Sequence, residues 1–194
     1  MSTARLETFS DGVIAILITI MVLELHVPNG SDWGAIRPVL PVLLAYVLSF
    51  VFLGIYWNNH HHTIAAVSSV TGGVLWANMH LLFWLSLVPF TTRWMDESGF
   101  ASVPTAMYVV VLLLCAVAYS FLVGTLVAVE GRDSAFARAL GNNVKGKASL
   151  ACYIAAIPLA FVWPPLALLI CAAVAAMWLI PDRRFVPPRE ASPG

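Results

Sequence analysis

The chain contains 194 residues, of which 60% are hydrophobic and only 10% are charged. Because soluble proteins carry about 25% charged residues, this composition excludes a soluble domain and indicates an integral membrane protein. The formal net charge is zero, so electrostatics give no basis for expecting nucleic acid as a partner.

The first predicted element is a helix over residues 5–25. Its apolar part, residues 12–23, spans only roughly 18 Å as a helix, whereas the hydrocarbon core of a bilayer is about 30 Å thick. Phe9, Ser10 and Asp11 on one side and Glu24 on the other are therefore expected at or inside the membrane boundary. Polar groups at that depth must face protein or water.

This helix carries one narrow stripe of residues at a spacing of i, i+4, i+7, which consists of Gly12, Ile16, Thr19, Ile20 and Leu23. Asp11 lies more than a quarter turn away from Ile16. One interpretation is that the stripe faces a symmetry axis while Asp11 faces helices of its own subunit. The other is that the stripe packs in the core of a helix bundle, which the spacing taken alone favours.

Five further apolar spans follow at residues 36–57, 72–92, 103–129, 148–163 and 165–180, with a short surface helix predicted near residues 134–140. The predicted fold is thus an all-α integral membrane protein with six transmembrane helices. Residues 1–182 form one transmembrane domain, and residues 183–194, rich in proline and charge, are predicted to be a disordered tail.

Six spans place both termini on the same side of the membrane. Eight basic residues then fall on that side, namely Arg5, Arg132, Arg138, Lys145, Lys147, Arg183, Arg184 and Arg189, while only Arg37 and Arg93 fall on the other. Positive residues are enriched in cytoplasmic segments, so the N-terminus and the C-terminus are predicted to be cytoplasmic.

Several polar side chains are expected to hold the helices together. Asn78 and His80 in the third span are predicted to point inward and to hydrogen-bond across helices. Arg5 and Asp11 either form an ion pair or find separate partners among Trp57, the histidines and the third span. A structural network is favoured over a direct transport role, because polar contacts at helix ends fix their register.

His60, His61 and His62 do not predict a metal site. Three consecutive residues on a helix cannot all aim at one ion, and no cysteine or second acidic cluster accompanies them. We expect a polar loop with one histidine turned inward, and neither a metal nor a cofactor. Catalytic motifs are absent from the sequence, as is the potassium-filter motif TVGYG, so the protein is not predicted to be an enzyme.

The first helix contains the motif Arg-x-x-x-Phe-Ser-Asp, which consists here of Arg5, Phe9, Ser10 and Asp11. With the following residues of the first helix, this motif closely resembles the transmembrane protein 175 family of endolysosomal potassium channels and their prokaryotic relatives. A single six-helix unit is similar to the prokaryotic branch, which implies a homotetramer with a central pore lined by the first helix.

The resemblance also implies roles for residues. Ile16 is the expected main constriction, and Thr19, Ile20 and Leu23 match the next pore-facing positions. Arg, Ser and Asp of the motif belong to an interhelical network, so the expected structural set is Arg5, Phe9, Ser10, Asp11, Asn78 and His80.

The predicted function is a potassium-permeable, leak-type channel in a prokaryotic plasma membrane, with potassium ions, membrane lipid and copies of itself as partners. A ring of isoleucines offers no oxygen ligand, so we expect modest selectivity, helped by the Thr19 hydroxyl, and closure by dewetting. Glu24 either concentrates cations or is an ordinary solvated residue. The alternative is a proton- or ion-coupled secondary transporter in which Asp11 and His80 or His60 titrate.

Overall fold

The computed structural model describes residues 2–23, 25–28 and 30–179, so Glu24 and the predicted tail lie outside the described residues. The described part is all-helical, as predicted. Its elements are α1 (Thr3–Leu23), a 3-10 helix (Trp33–Val39), α2 (Leu40–Ala65), α3 (Gly72–Ser86), α4 (Val88–Glu97), α5 (Ser102–Glu130), α6 (Ala135–Leu140), α7 (Val144–Val162) and α8 (Pro164–Leu179).

Five helical segments of the described chain are long and apolar enough to cross a membrane. They are Thr3–Leu23, Trp33–Ala65, Gly72–Glu97, Ser102–Glu130 and Val144–Val162, which correspond to the first five predicted spans. The sixth predicted span corresponds to α8, which is apolar but has only 16 residues. At about 1.5 Å per residue it reaches roughly 24 Å, less than the hydrocarbon thickness.

Helix α2 extends well beyond the predicted end of the second span. It continues to Ala65, so the three histidines are helical, and the prediction that they form a loop was wrong. His60, Thr63 and Ile64 are buried, at the spacing that keeps side chains on one face of a helix. Two of the three histidines have partners on neighbouring helices, His60 on Asn78 of α3 and His61 on Glu7 of α1.

The third predicted span consists of two helices. Helix α3 ends at Ser86 and α4 begins at Val88 and continues to Glu97, five residues beyond the predicted end. Pro89 lies in the first turn of α4, where the missing N–H group is tolerated. Proline therefore marks a break within this span.

Helix α7 starts four residues before its predicted start at residue 148. The Asn143 side chain accepts a hydrogen bond from the Gly146 backbone N–H at 3.3 Å and caps the helix, as asparagine commonly does. A Cβ at position 146 would lie 2.5 Å from Asn143 Nδ2. The cap consequently requires glycine at residue 146.

Helix α5 lies at the centre of the bundle, where it packs against α3, α4, α7 and α8. Buried polar contacts supplement this apolar packing: the Ser49 hydroxyl of α2 lies 2.8 Å from Thr92 Oγ1 of α4 and 2.9 Å from the Tyr108 hydroxyl of α5. Helix α1 instead packs against α2, α3 and part of α4. It therefore lies at the edge of the subunit.

Three contacts place helix ends together at one end of the bundle. They join Glu7 to His61, Ser68 to Glu130, and Lys145 to Trp178. The start of α1 and the ends of α2, α5 and α8 thus share that end. The start of α1 and the end of α8 therefore lie at the same end of the bundle.

Candidate functional site

Helix α1 has one face buried in the subunit. That face consists of Leu6, Ser10, Ile14, Leu17 and Met21, at the i, i+4 and i+3 spacing of a single helix face. These side chains pack against α2 and α3. Packing of this face fixes which way the remainder of α1 points.

The stripe identified in the sequence lies on the opposite side, away from the subunit core. Ile16 is 57% exposed, Ile20 is 40% exposed and Leu23 is 80% exposed, and Thr19 is also exposed. The bundle-core interpretation of the stripe is therefore excluded within one subunit. These four side chains, three of them aliphatic, can face membrane lipid, a pore or another copy of the chain.

The hydroxyl of Thr19 is the polar group on this stripe. It donates a hydrogen bond to the Ile16 backbone carbonyl at 2.9 Å. Because the proton is engaged along the helix, the oxygen lone pairs remain available on the exposed side. Thr19 can accept hydrogen bonds from water or contact a cation there.

A buried polar cluster anchors the other face of α1. Asn78 Nδ2 of α3 donates to Ser10 Oγ at 3.0 Å, and His60 Nε2 of α2 lies 2.7 Å from Asn78 Oδ1. All three residues are fully buried. Three helices are thus tied together at the depth of the Phe-Ser-Asp motif.

Two titratable groups, one in this cluster and one beside it, have a buried atom without a hydrogen-bond partner in the described chain. They are Asp11, through Oδ1, and His60, through Nδ1. Asp11 is half-buried and lies close enough to act on the His60 ring electrostatically. Buried polar atoms are normally hydrogen-bonded. We therefore expect these two atoms to bond to a water molecule or to a group outside the described subunit.

Other members of the predicted network lie elsewhere. Arg5 and Phe9 are exposed on the side of α1 that carries the stripe. His80 is exposed as well, and its Nε2 accepts a 2.8 Å hydrogen bond from Trp84 Nε1 of the same helix. Within the subunit His80 does not point inward as predicted, and neither it nor Arg5 joins Ser10 and Asn78.

Of the three histidines, His60 is the one turned inward, whereas the sequence did not indicate which would be. His61 Nδ1 lies 2.5 Å from Glu7 Oε1, and its ring stacks on Trp57. Glu7 was not singled out in the sequence, although it precedes the motif Asp by four residues. Among the described residues, no three His, Cys, Asp or Glu side chains are grouped as metal ligands.

Comparison with known proteins gives consistent matches. A family model described as the endosomal/lysosomal potassium channel TMEM175 matches residues 5–89, which include the whole motif and the cluster. A potassium channel of Chryseobacterium sp. (strain P1-3) is 48% identical over 185 residues, covering 95% of this chain and 96% of the relative. A potassium channel of Streptomyces collinus is 34% identical over 128 residues, covering 62% of each chain.

The fold also matches a solved structure. The crystal structure of a lysosomal potassium-selective channel TMEM175 homolog from Chamaesiphon minutus aligns with a TM-score of 0.75 and 26% sequence identity. The alignment covers 93% of this chain and 97% of that one. The likeness therefore extends over the helical bundle and is not confined to α1.

Proposed function

Because this chain belongs to the TMEM175 family, we propose that it is a potassium-permeable channel that conducts passively across a membrane. The two bacterial relatives described above and the matched structure are named as potassium channels, and the family comprises ion channels, not enzymes. The orientation of helix α1 gives the strongest support for this proposal. One face of α1 is buried in the subunit, and the other carries an exposed aliphatic stripe.

The pore is formed by four subunits around a central axis, with the α1 stripes facing that axis. Ile16 makes the narrowest ring, and Thr19, Ile20 and Leu23 line the pore beyond it. Burial of Leu6, Ser10 and Ile14 supports this assignment, since these side chains hold the stripe in one direction. Without a partner, 57% of the Ile16 surface would remain exposed.

Selectivity in such a pore comes from side chains, because the TVGYG filter is absent from the sequence. An aliphatic ring supplies no oxygen to replace the hydration shell of a cation, so ions pass largely hydrated and the ring closes by dewetting. Thr19, whose oxygen lone pairs face outward, provides the polar contact that favours potassium over sodium. Discrimination is accordingly modest.

The subunit crosses the membrane six times, with α8 as a short sixth span and both termini in the cytoplasm of a prokaryotic cell. The shared end of the bundle supports this orientation. It carries Arg5, Arg132, Arg138, Lys145 and Lys147, as expected for the cytoplasmic side. The opposite end carries Arg37 and Arg93.

Ser10, Asp11 and Asn78 act in positioning the pore helix, together with His60. The chain of contacts from Ser10 through Asn78 to His60 supports this role, because it links α1 to the two helices against which it packs. The network includes three further residues only through contacts with neighbouring subunits, namely Arg5, Phe9 and His80.

A second function is favoured by one observation. Asp11 Oδ1 and His60 Nδ1 are buried and unpaired in the described chain, and paired intramembrane acids and histidines occur in proton-coupled transporters. In that alternative the two groups exchange a proton during each transport cycle. Internal repeats, which many transporters have, are not evident in the sequence.

Purified protein in liposomes distinguishes the two functions. Under opposed potassium and sodium gradients, a channel gives a reversal potential displaced toward that of potassium, with a flux that needs no proton gradient. A fixed ratio of protons to cations, or potassium flux abolished by collapse of the proton gradient, would establish the transporter instead. The mass of the purified complex tests the tetramer.

A further inference from the structure

A cavity of about 50 Å³ lies within the subunit, between α2, α5, α7 and α8. Small residues on two of these helices leave this room, namely Ala116 and Ser120 of α5 and Gly146 of α7. Since one water molecule takes up about 10–15 Å³ of such a cavity, it holds about four non-hydrogen atoms. The cavity is separate from the exposed stripe of α1, because no residue of α1 lines it.

Two hydroxyl groups in this cavity have no partner. Tyr56 of α2 and Tyr153 of α7 line it, and neither hydroxyl forms a hydrogen bond with any residue that the structure describes. The two groups are close enough to interact electrostatically. Neither belongs to the fully enclosed atoms that lack a partner, so both border open space. Tyr153 is 2% exposed, which leaves almost no surface for a contact outside the subunit.

Most of the other polar side chains around the cavity are already engaged. Tyr119 donates a hydrogen bond to the Asn59 carbonyl at 3.2 Å. Ser149 Oγ accepts one from Trp178 Nε1 at 2.8 Å and donates one to the Lys145 carbonyl at 2.9 Å. None of the lining residues is charged. The free hydrogen-bonding capacity is therefore concentrated at the two tyrosine hydroxyls, and aromatic and aliphatic groups form most of the remaining wall.

The size and chemistry of the cavity define the ligand. An ion is disfavoured, because no opposite charge is present between these membrane-spanning helices. A cluster of water molecules is a poor match as well, since each of them needs about three hydrogen bonds. We propose that the cavity binds a short-chain alcohol, a neutral molecule with one hydroxyl and about two or three carbon atoms. Its hydroxyl bonds to Tyr56 and Tyr153, and its carbon atoms contact the apolar wall.

The position of this site connects it to the first helix. Asn59, which lines the cavity, precedes His60 in α2, and His60 contacts Asn78, which donates to Ser10 of α1. A ligand in the cavity thus contacts the segment of α2 that positions α1. Binding itself goes beyond the proposed channel function and does not require it.

Protection of a cysteine placed in the cavity measures occupancy. Ser120→Cys in liposomes is modified with methyl methanethiosulfonate, which adds a small methylthio group, in the presence and absence of n-propanol. At an alcohol concentration of about twice the Kd, modification is expected to be about threefold slower. Val117→Cys, at an exposed position of the same helix, is the matched control and should react at an unchanged rate. Wild-type protein measures the reaction of the native cysteines.

The length of the alcohol separates binding in the cavity from an effect of the bilayer. Each added CH₂ group raises partition into an apolar phase about fourfold, so an effect through the membrane becomes stronger from n-propanol to n-hexanol. Protection by binding in the cavity should instead disappear with n-hexanol, which is too large for the space. Protection that rises steadily with chain length would overturn the proposal.

Substitutions of the lining residues, each combined with Ser120→Cys, test the site itself. Tyr153→Phe removes a hydroxyl without a partner in the described chain, so the fold is kept, and it should weaken n-propanol binding about fivefold. Tyr46→Phe is its control, because Tyr46 lies on α2 but does not line the cavity. Ala116→Leu fills the space and should both slow modification and remove the further effect of n-propanol.

Three results would contradict an alcohol site. Ser120→Cys that does not react in the folded protein would show that small molecules do not enter the cavity. An unchanged rate in n-propanol would show that the alcohol does not bind there. Equal affinities of Tyr153→Phe and Tyr46→Phe would show that the Tyr153 hydroxyl is not part of a site. None of these measurements requires potassium current, so failure of the channel proposal and failure of this one are observed separately.

Discussion

His60 Nε2 and Asn78 Oδ1, 2.7 Å apart, form a hydrogen bond whose direction is fixed by its neighbours. Ser10 Oγ donates to the Leu6 carbonyl at 2.9 Å, so it must accept from Asn78 Nδ2. The Asn78 oxygen therefore faces His60, whose Nε2 carries the proton and donates. Nδ1 of His60 is left as an acceptor without a partner in the described chain.

Replacement of His60, the first donor in this series of hydrogen bonds, is expected to destabilise the subunit. In His60→Leu, the buried Asn78 oxygen loses its hydrogen bond, at a cost of about 1–3 kcal/mol. His62→Leu is the matched control, because His62 is exposed on the same helix. The apparent melting temperature in detergent, followed by size-exclusion chromatography, should fall clearly for the first variant and little for the second. Equal melting temperatures would show that the cluster does not hold α1.

Asp11→Ala should affect assembly more than folding of the subunit. Asp11 Oδ1 has no partner among the described residues, so any hydrogen bond that it makes comes from water or from another copy. Loss of such a bond at an interface costs about 1 kcal/mol or more, which lowers the association constant about fivefold. Native mass measurements of the tetramer fraction test this, with Asp11→Asn retaining one oxygen. A fully assembled Asp11→Ala variant with reversed ion selectivity would instead place Asp11 on the ion path.

Helix geometry explains which parts of the site could be read from the sequence. The grouping of the α1 stripe on one face follows from its spacing, because helix periodicity needs no knowledge of partners. Its exposure did not follow, since the spacing alone favoured packing in the core of a bundle. The same geometry separates Asn78 and His80 by about 160° around the helix and Arg5 and Asp11 by about 120°. Only one member of each pair can face the subunit core. The expectation that both third-span residues point inward conflicted with this constraint.

The partner of Asn78 could not be read in the same way. His60 lies 18 residues earlier, on another helix, and its neighbours His61 and His62 have the same chemistry. Which histidine turns inward depends on how α2 rotates against α3, and long-range packing sets that rotation. For the same reason the polar composition suggested a loop where α2 remains helical through Ala65.

Thr19→Val is expected to erode the preference for potassium over sodium, roughly twofold or more, because the pore then lacks its hydroxyl oxygen. The shape of the side chain is nearly kept, and the lost bond to the Ile16 carbonyl is a local one within the helix. Thr125→Val on α5 removes an equivalent bond, from Thr125 Oγ1 to the Phe121 carbonyl, and serves as the control. Reversal potentials in mixed potassium and sodium solutions measure the ratio. An unaltered ratio in Thr19→Val would remove Thr19 from the selectivity site.

Opposite substitutions at Ile16 test whether this residue forms the constriction. Ile16→Asn replaces an aliphatic ring with amides that hold water, so conductance should rise about twofold or more while discrimination between potassium and sodium falls. Ile16→Phe adds bulk at the same point and should lower conductance. Since Ile16 is 57% exposed in the subunit, neither change disturbs the face that packs on α2 and α3.

Single-channel recordings in planar bilayers measure the conductance of both Ile16 variants. Ile14→Val, at a fully buried position of the same helix, is the control and should leave conductance unchanged. If Ile16→Asn and Ile16→Phe have the same conductance, the narrowest point of the pore lies elsewhere. The ring that limits ion flow must change the conductance when its side chains become larger or more polar.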